Sequence, residues 1–137
     1  MRVNIPRMNA IRVHQFGEPD VLKLEEVPDP TPGPAQVVVR IKAVGVNPVE
    51  TYIRAGRYGP RQFPFTPGID GAGVIESVGP GVKRWKKGDR VYVAGSISGT
   101  YAEVSLCDAK KVHRLPENVS FEEGAALGVP AATAWAE

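Results

Sequence analysis

The sequence predicts a mainly β fold, and three observations support this. Short runs of β-branched residues alternate with polar residues, which is the period of a half-buried strand. Glycine (15 residues) and proline (13 residues) make up about a fifth of the chain, against an average near ~12%. Both are spread along the chain, so they indicate many turns between short strands. The length of 137 residues is enough for one core.

The strands can be placed in chain order. Residues 10–16 alternate and predict a first strand, and residues 21–27 predict its antiparallel partner after a turn. Residues 28–34 carry four prolines, which cannot pair inside a sheet, so they predict a rigid surface connection. The predicted strands are residues 10–16, 21–27, 36–46, 74–78, 90–93, 101–106 and 112–115.

A short helix is predicted directly after the strand at 36–46. Asn47 suits the N-cap and Pro48 the first turn, and Val49, Tyr52 and Ile53 are spaced as one helical face. The helix is expected to end near residue 56, and an irregular loop is expected over residues 57–66.

Two more helices are predicted near the end of the chain. Ser120 and Glu123 have the spacing of a capping box for a helix that starts at Phe121. The sequence Gly-Val-Pro at 128–130 is expected to stop that helix. The alanine-rich residues 131–137 are expected to start another, and a chain that stops inside such a helix is expected to be a fragment.

A glycine-rich stretch at residues 67–79 organises the middle of the chain. Gly71 and Gly73 fit the start of a dinucleotide-binding G-x-G-x-x-G loop, but Glu76 occupies the third position. The residues that follow read as a strand and not as a helix, so no helix dipole would meet a phosphate. The stretch therefore predicts a tight strand crossing, where side chains would not fit.

Composition argues against several functions. The net charge is +2 with no run of like charges, and the basic cluster at residues 83–87 reads as a solvated face, so nucleic acid is not expected. The only cysteine, Cys107, is expected to be a small buried residue, and it excludes a disulfide and a cysteine-based zinc lobe. No apolar run reaches the ~20 residues of a membrane span. No signal peptide is visible, so a cytoplasmic protein is expected.

The residues that could carry chemistry gather around the first helix. Asn47, Tyr52 and Tyr58 offer an amide and two phenols, groups that can donate hydrogen bonds to an oxygen that gains charge during a reaction. A structural interpretation is also open, in which Asn47 only caps the helix and Tyr52 packs in the core. His14 and His113 read as ordinary half-buried strand residues, and neither suggests a metal site.

Six blocks of sequence carry a resemblance to a known family. They are residues 16–19 (FGEP), 46–54 (VNPVETYIR), 67–75 (PGIDGAGVI), 87–91 (KGDRV), 99–103 (GTYAE) and 124–134 (GAALGVPAATA). The chain resembles the N-terminal, GroES-like catalytic domain of the medium-chain dehydrogenases/reductases. Within them it is most similar to the zinc-free NADPH:quinone oxidoreductase (zeta-crystallin-like) branch, to which the block at 46–54 is specific.

The resemblance implies a partly open β-barrel with a few short helices. It divides the chain into an N-terminal extension (1–8), the GroES-like catalytic domain (9–128) and the start of a helix (129–137). That helix leads in the family to a Rossmann domain, which is absent from this chain. The fragment alone is therefore expected to be inactive.

The resemblance also implies that no zinc is used. Zinc-dependent relatives place ligands at the positions of Asn47, Ile69 and, nearby, Val129, and none of these three side chains is a zinc ligand of that family. The implied reaction passes a hydride, or single electrons, from NADPH straight to a quinone.

Four site residues follow from the resemblance. It places Asn47 and Tyr58 on the substrate side as catalytic residues, and Tyr52 and Thr133 towards NADPH. The implied partner is a small quinone or enone, and the parent protein is expected to be a homo-oligomer, a dimer or tetramer. Alternatives are an enoyl or enone reductase, or a non-catalytic crystallin-like structural or RNA-binding protein.

Overall fold

A computed structural model describes residues 5–136, and it is mainly β. The strands are β1 (Arg7–Arg12), β2 (Lys23–Pro28), β3 (Gln36–Gly45), β4 (Asp70–Val78), β5 (Arg90–Ala94), β6 (Val104–Asp108) and β7 (Val112–Arg114). The helices are α1 (Pro48–Arg54), α2 (Phe121–Ala125) and α3 (Gly128–Ala136), with single 3₁₀ turns at Pro19–Val21 and Ala109–Lys111. Within this part of the chain, no helix is long and apolar enough to cross a membrane.

Five antiparallel strands form a curled sheet in the order β6-β3-β4-β5-β7. In a flat sheet the two edge strands would lie about 19 Å apart, because neighbouring strands are ~4.8 Å apart. Only the 3₁₀ turn Ala109–Lys111 joins β6 to β7, and four Cα steps reach at most ~15 Å. The edges must therefore approach each other, although β6 and β7 are not paired. The predicted partly open barrel is confirmed.

Strands β1 and β2 form a separate antiparallel ribbon beside the barrel. The predicted pairing is confirmed, but the first strand begins at Arg7 and ends at Arg12 instead of spanning 10–16. Met8 and Ala10 are buried against Val38 and Val104, so tertiary packing decides where the strand lies. Strand β1 thus overlaps the predicted extension 1–8, and the division into domains stays a prediction.

The barrel interior is apolar, and it uses one face of each strand. Val37 and Val39 of β3 point into the main core, whereas Val38 packs on the β1–β2 ribbon. Cys107 is fully buried in the main core, as predicted. Trp85 is buried as well, while the basic residues around it are exposed and form the predicted solvated face.

The glycine-rich stretch is a strand crossing and not a phosphate loop. Strand β4 runs through it from Asp70, so the strand starts four residues earlier than predicted. Gly73 is buried between Ile41 of β3 and Val91 of β5, and a Cβ atom on Gly73 would overlap the Arg40 carbonyl oxygen. Glycine is needed here because the backbone of β3 passes too close for a side chain.

The C-terminal helices correct one prediction. The capping box of Ser120 and Glu123 is present at the start of α2. The sequence at 128–130 does follow the end of α2, but it forms the first turn of α3. Pro130 is tolerated there because N–H groups in a first turn have no partner within the helix.

Candidate functional site

Asn47 lies in the turn between β3 and α1, where the strand ends and the helix begins. It occupies the N-cap position and is only 6% exposed. Its side-chain Nδ2 donates a hydrogen bond of 2.9 Å to Oδ2 of Asp70. Asn47 is therefore more than a helix cap, because its amide is tied to the first residue of β4.

Asp70 joins two distant parts of the chain. The side chain is 1% exposed, and it also accepts a hydrogen bond from the backbone N–H of Val129, with 2.9 Å to Oδ2. Gly128 faces the same carboxylate, and a Cβ atom there would overlap Asp70 Oδ1. One carboxylate thus binds the N-cap of α1 and the first turn of α3.

Glu50 is a second buried carboxylate, and three groups donate hydrogen bonds to it. It is 5% exposed and accepts hydrogen bonds from the Asn47 N–H (2.6 Å), the Ile69 N–H (3.1 Å) and the Tyr101 hydroxyl (2.9 Å). Burial raises the pKa of Tyr101, and the hydrogen bond to Glu50 raises it further. The phenol therefore stays protonated and keeps donating to Glu50.

The other three predicted site residues are exposed. Tyr52 of α1 is 46% exposed, so the alternative in which it packs in the core is wrong. Tyr58 is 66% exposed in the loop after α1, and Thr133 lies on the exposed part of α3. Within residues 5–136 no hydrogen bond joins either phenol to Asn47. The structure therefore links Asn47 to α3 through Asp70, and it leaves Tyr52, Tyr58 and Thr133 open to solvent.

Asn47, Ile69 and Val129, which the resemblance sets at or near the zinc-ligand positions of zinc-dependent relatives, meet in this network. Asn47 donates to Asp70, Ile69 donates its N–H to Glu50, and Val129 donates its N–H to Asp70. The side chains of Ile69 and Val129 carry no ligating atom. In the part of the chain that the structure describes, no group of three or more histidine, cysteine, aspartate or glutamate side chains could hold a metal ion.

Glu50 lines two small clefts. One has a volume of about 160 Å³ and is lined in part by Ile53, Phe65 and Ile97. The other has a volume of about 260 Å³ and reaches from Glu50 to Tyr101. None of the four predicted site residues lines either cleft.

Sequence reasoning missed Glu50, Asp70 and Tyr101 as parts of the site. Glu50 had a local signal, because it follows the N-cap Asn47 by three residues, the spacing of a capping box. Asp70 had no such signal: its partner Val129 is 59 residues away in the chain. Tyr101 is likewise 51 residues from Glu50.

The curled antiparallel barrel and the capped helix after β3 are the structural features to compare with known protein families. The family model described as the alcohol dehydrogenase GroES-like domain matches residues 33–117, more than half of the chain. The chain belongs to this family.

The chain is similar to quinone oxidoreductases over most of its length. The quinone oxidoreductase of Rattus norvegicus is 53% identical over 129 residues, which are 93% of this chain and 39% of the relative. The structure of Escherichia coli quinone oxidoreductase complexed with NADPH matches with a TM-score of 0.88 and 38% identity, over 93% of this chain and 39% of that chain. Quinone oxidoreductase of Pseudomonas syringae matches with a TM-score of 0.87 and 40% identity, over 92% and 39%.

These matches confirm the predicted GroES-like domain and the predicted resemblance to quinone oxidoreductases. The chain spans about two fifths of the length of each of these relatives. What those whole proteins bind and catalyse reaches this chain only as a proposal.

Proposed function

We propose that this chain is the catalytic-domain part of a zinc-independent oxidoreductase that transfers a hydride, or single electrons, from NADPH to a quinone. The observation that carries this proposal is the 53% identity to a quinone oxidoreductase over 93% of the chain. The alignment spans 93% of the chain and therefore includes the block at residues 46–54, which carries two of the four proposed site residues, Asn47 and Tyr52.

Independence from zinc is supported by the side chains at the ligand positions. A zinc site in such a protein needs thiolate, imidazole or carboxylate ligands around one point. Ile69 and Val129 offer none, and the Asn47 amide is engaged by Asp70. The donor set does not fit zinc, so the proposed reaction uses none.

The polar side chains of the proposed site fit a nicotinamide dinucleotide better than they fit zinc. When bound, NADPH supplies the hydride. The exposed phenol of Tyr52 and hydroxyl of Thr133 can donate hydrogen bonds to amide or phosphate oxygens, and we assign them to the cofactor. Asn47 and Tyr58 are assigned to the acceptor, where the second side-chain N–H of Asn47, which Asp70 does not use, and the O–H of Tyr58 would bind an oxygen that gains negative charge.

Most of the cofactor contacts are assigned to sequence outside this chain. The relatives are more than twice as long, and two of the matched structures contain NADPH. In keeping with this, residues 131–136 of α3 are exposed, including Trp135 at 92%. We propose that the whole protein is a cytoplasmic homo-oligomer, a dimer or tetramer, whose mass in solution can be measured by light scattering.

Steady-state kinetics on the whole protein test the proposed function. The protein that carries this chain is expressed at the full length that its gene encodes, and NADPH oxidation is followed with ortho- and para-quinones, with and without a chelator. We expect oxidation with at least one quinone, at a rate that the chelator leaves unchanged. An enone arm tests the enone reductase alternative in the same assay.

Each outcome of this assay bears on one part of the proposal. Loss of activity with chelator would overturn the zinc-independent reaction. Activity with enones alone would replace the quinone with an enone as the acceptor. Absence of NADPH oxidation with every acceptor would favour a non-catalytic, crystallin-like or RNA-binding protein.

A further inference from the structure

The carboxylate of Asp70 stands between the two halves of the proposed site. On one side it accepts from Nδ2 of Asn47, the residue assigned to the acceptor (2.9 Å). On the other side it accepts from the N–H of Val129, at the start of the helix that carries Thr133 (2.9 and 3.1 Å to its two oxygens). The contact with Asn47 is buried, since Asp70 is 1% exposed and Asn47 6% exposed, and the contact with Val129 is partly buried.

Local packing leaves this carboxylate few alternatives. The Cβ position of Gly45 lies 2.9 Å from Asp70 Cβ, and that of Gly128 overlaps its Oδ1, so glycine stands on both sides. A buried carboxylate is costly unless it is fully hydrogen-bonded, and here the donors come from α1 and α3. A carboxylate only accepts hydrogen bonds, and in the Asn47 side chain only the NH₂ group donates them. The NH₂ group must therefore face Asp70, which fixes the orientation of the amide.

We propose that Asp70 is a positioning residue that orients the Asn47 amide and docks the first turn of α3 on the same carboxylate. The substrate side and the cofactor side of the site are thereby held in one fixed relation. This inference rests on the proposed function for its kinetic consequence, but its structural part does not. Asp70 itself is not a catalytic residue, because it acts through Asn47 and through α3.

The first test measures the structural link without any activity. In the whole protein labelled with ¹⁵N, Asp70→Asn is expected to shift two resonances together, the side-chain NH₂ of Asn47 and the backbone amide of Val129. It is also expected to speed hydrogen exchange at the Val129 amide. Glu76→Gln, which alters another carboxylate of β4, serves as the matched control and is expected to move neither signal.

A second variant guards against misfolding of the first. Gly128→Ala leaves the carboxylate in place but pushes a methyl group against Asp70 Oδ1. It is expected to shift the same two resonances, with a cooperative thermal transition retained. If both variants leave the Asn47 and Val129 signals where they are, the proposed link is wrong.

The kinetic test asks whether Asp70 acts through Asn47. Asp70→Asn is expected to lower kcat about 10- to 100-fold, the scale of a small misplacement of a reacting group. In an Asn47→Ala background, the same change should lower kcat by less than about twofold, because coupled residues are not additive. A full and independent loss in that background would overturn the positioning role.

The two proposals fail in different ways. If the unsubstituted protein oxidises no NADPH with any quinone, the proposed function falls, while the two resonances still decide whether Asp70 links α1 to α3. If quinone activity is present but Asp70→Asn leaves kcat and both resonances unchanged, the positioning role falls and the proposed function stands.

Discussion

At the scale of single residues, the neighbours Ile69 and Asp70 contribute different groups to the site: Ile69 its backbone and Asp70 its side chain. Ile69 contributes a backbone N–H to Glu50, whereas the next residue, Asp70, contributes a buried carboxylate to Asn47 and Val129. The identity of the side chain matters at Asp70, and its absence matters at Gly73, where the backbone of β3 passes too close.

Tyr58 offers a direct test of the assigned acceptor site. Tyr58→Phe removes one exposed hydroxyl and is expected to lower kcat/KM for the quinone about 10-fold, the worth of one hydrogen bond. The KM for NADPH should not change. Tyr92→Phe, in β5 beside His113, is the matched control and should leave both values unchanged. An unaltered quinone rate in Tyr58→Phe would remove Tyr58 from the site.

Gly73 is expected to tolerate no side chain. Gly73→Ala forces a methyl group onto the backbone of β3, and the expected loss in the free energy of unfolding is about 3 kcal/mol, as for an overpacked core. Gly88→Ala is the control, because Gly88 has φ of +94° but open space around it, and should lose only ~1–2 kcal/mol. Urea unfolding of both variants measures the two losses in the free energy of unfolding. Equal losses would contradict the close strand crossing at Gly73.

At the scale of elements, contacts between neighbouring strands and helix caps fix the architecture. Helix α2 starts where Ser120 and Glu123 satisfy each other's backbone N–H groups. Strands β3 and β4 are held by their ladder and by an ion pair, in which Arg40 donates two hydrogen bonds to Glu76, of 3.0 and 3.2 Å.

The Arg40–Glu76 pair predicts a pH dependence. The hydrogen bond from Arg40 lowers the pKa of Glu76 below its ordinary value of 4.5. A lowered folded-state pKa means that the pair stabilises the fold above about pH 4.5 and that this contribution disappears as the pH falls through the lowered value. Both side chains are about a third exposed, so the contribution is less than ~1 kcal/mol.

Urea unfolding of Glu76→Gln at two pH values measures this contribution. The variant should be less stable than the unsubstituted protein at pH 7, and the difference should shrink at about pH 3, below the ordinary pKa of glutamate. Glu117→Gln, at an exposed turn, should show no such difference at either pH. A difference that grows on acidification would contradict the direction of the pKa shift.

At the scale of the whole molecule, the barrel encloses one buried thiol. Cys107 of β6 is fully buried in the main core. Burial raises the pKa of its thiol from 9.0 to about 11, although hydrogen bonds with Ser105 and Ser96 act in the opposite direction. The reactive thiolate is therefore scarce in the folded state, and reagents reach it only when the barrel opens.

Thiol labelling therefore reports opening of the barrel. At pH 8, labelling of Cys107 by N-ethylmaleimide in the folded protein should be at least about 100-fold slower than in the urea-unfolded chain, the factor that two pKa units give. The rate should rise across the unfolding transition measured by circular dichroism. Equal rates in the folded and unfolded protein would contradict a closed core around Cys107.

Much of the fold could be predicted from local sequence. The strong strand at 36–46, the N-cap at Asn47 and the capping box at Ser120 each depend on residues within a few positions of one another. The positions of β1 and the start of β4 were less well predicted, because burial of Met8 and Ala10 and pairing of the glycines decide them. The exposure of Tyr52 also depends on how α1 sits on the barrel.

The sequence by itself determined the mainly β class, the capped helix at Asn47 and the absence of ligating side chains at Ile69 and Val129. The tertiary structure alone decided that Asp70 holds Asn47 and α3 together, and that Glu50 ties Asn47 to Ile69 and Tyr101. The physical reason is range: strand periodicity and helix caps act between residues close in sequence. The hydrogen-bond partners of a buried carboxylate depend on which donors the folded barrel brings to it. For Asp70 these are Asn47, which lies 23 positions away in the sequence, and Val129, which lies 59 positions away.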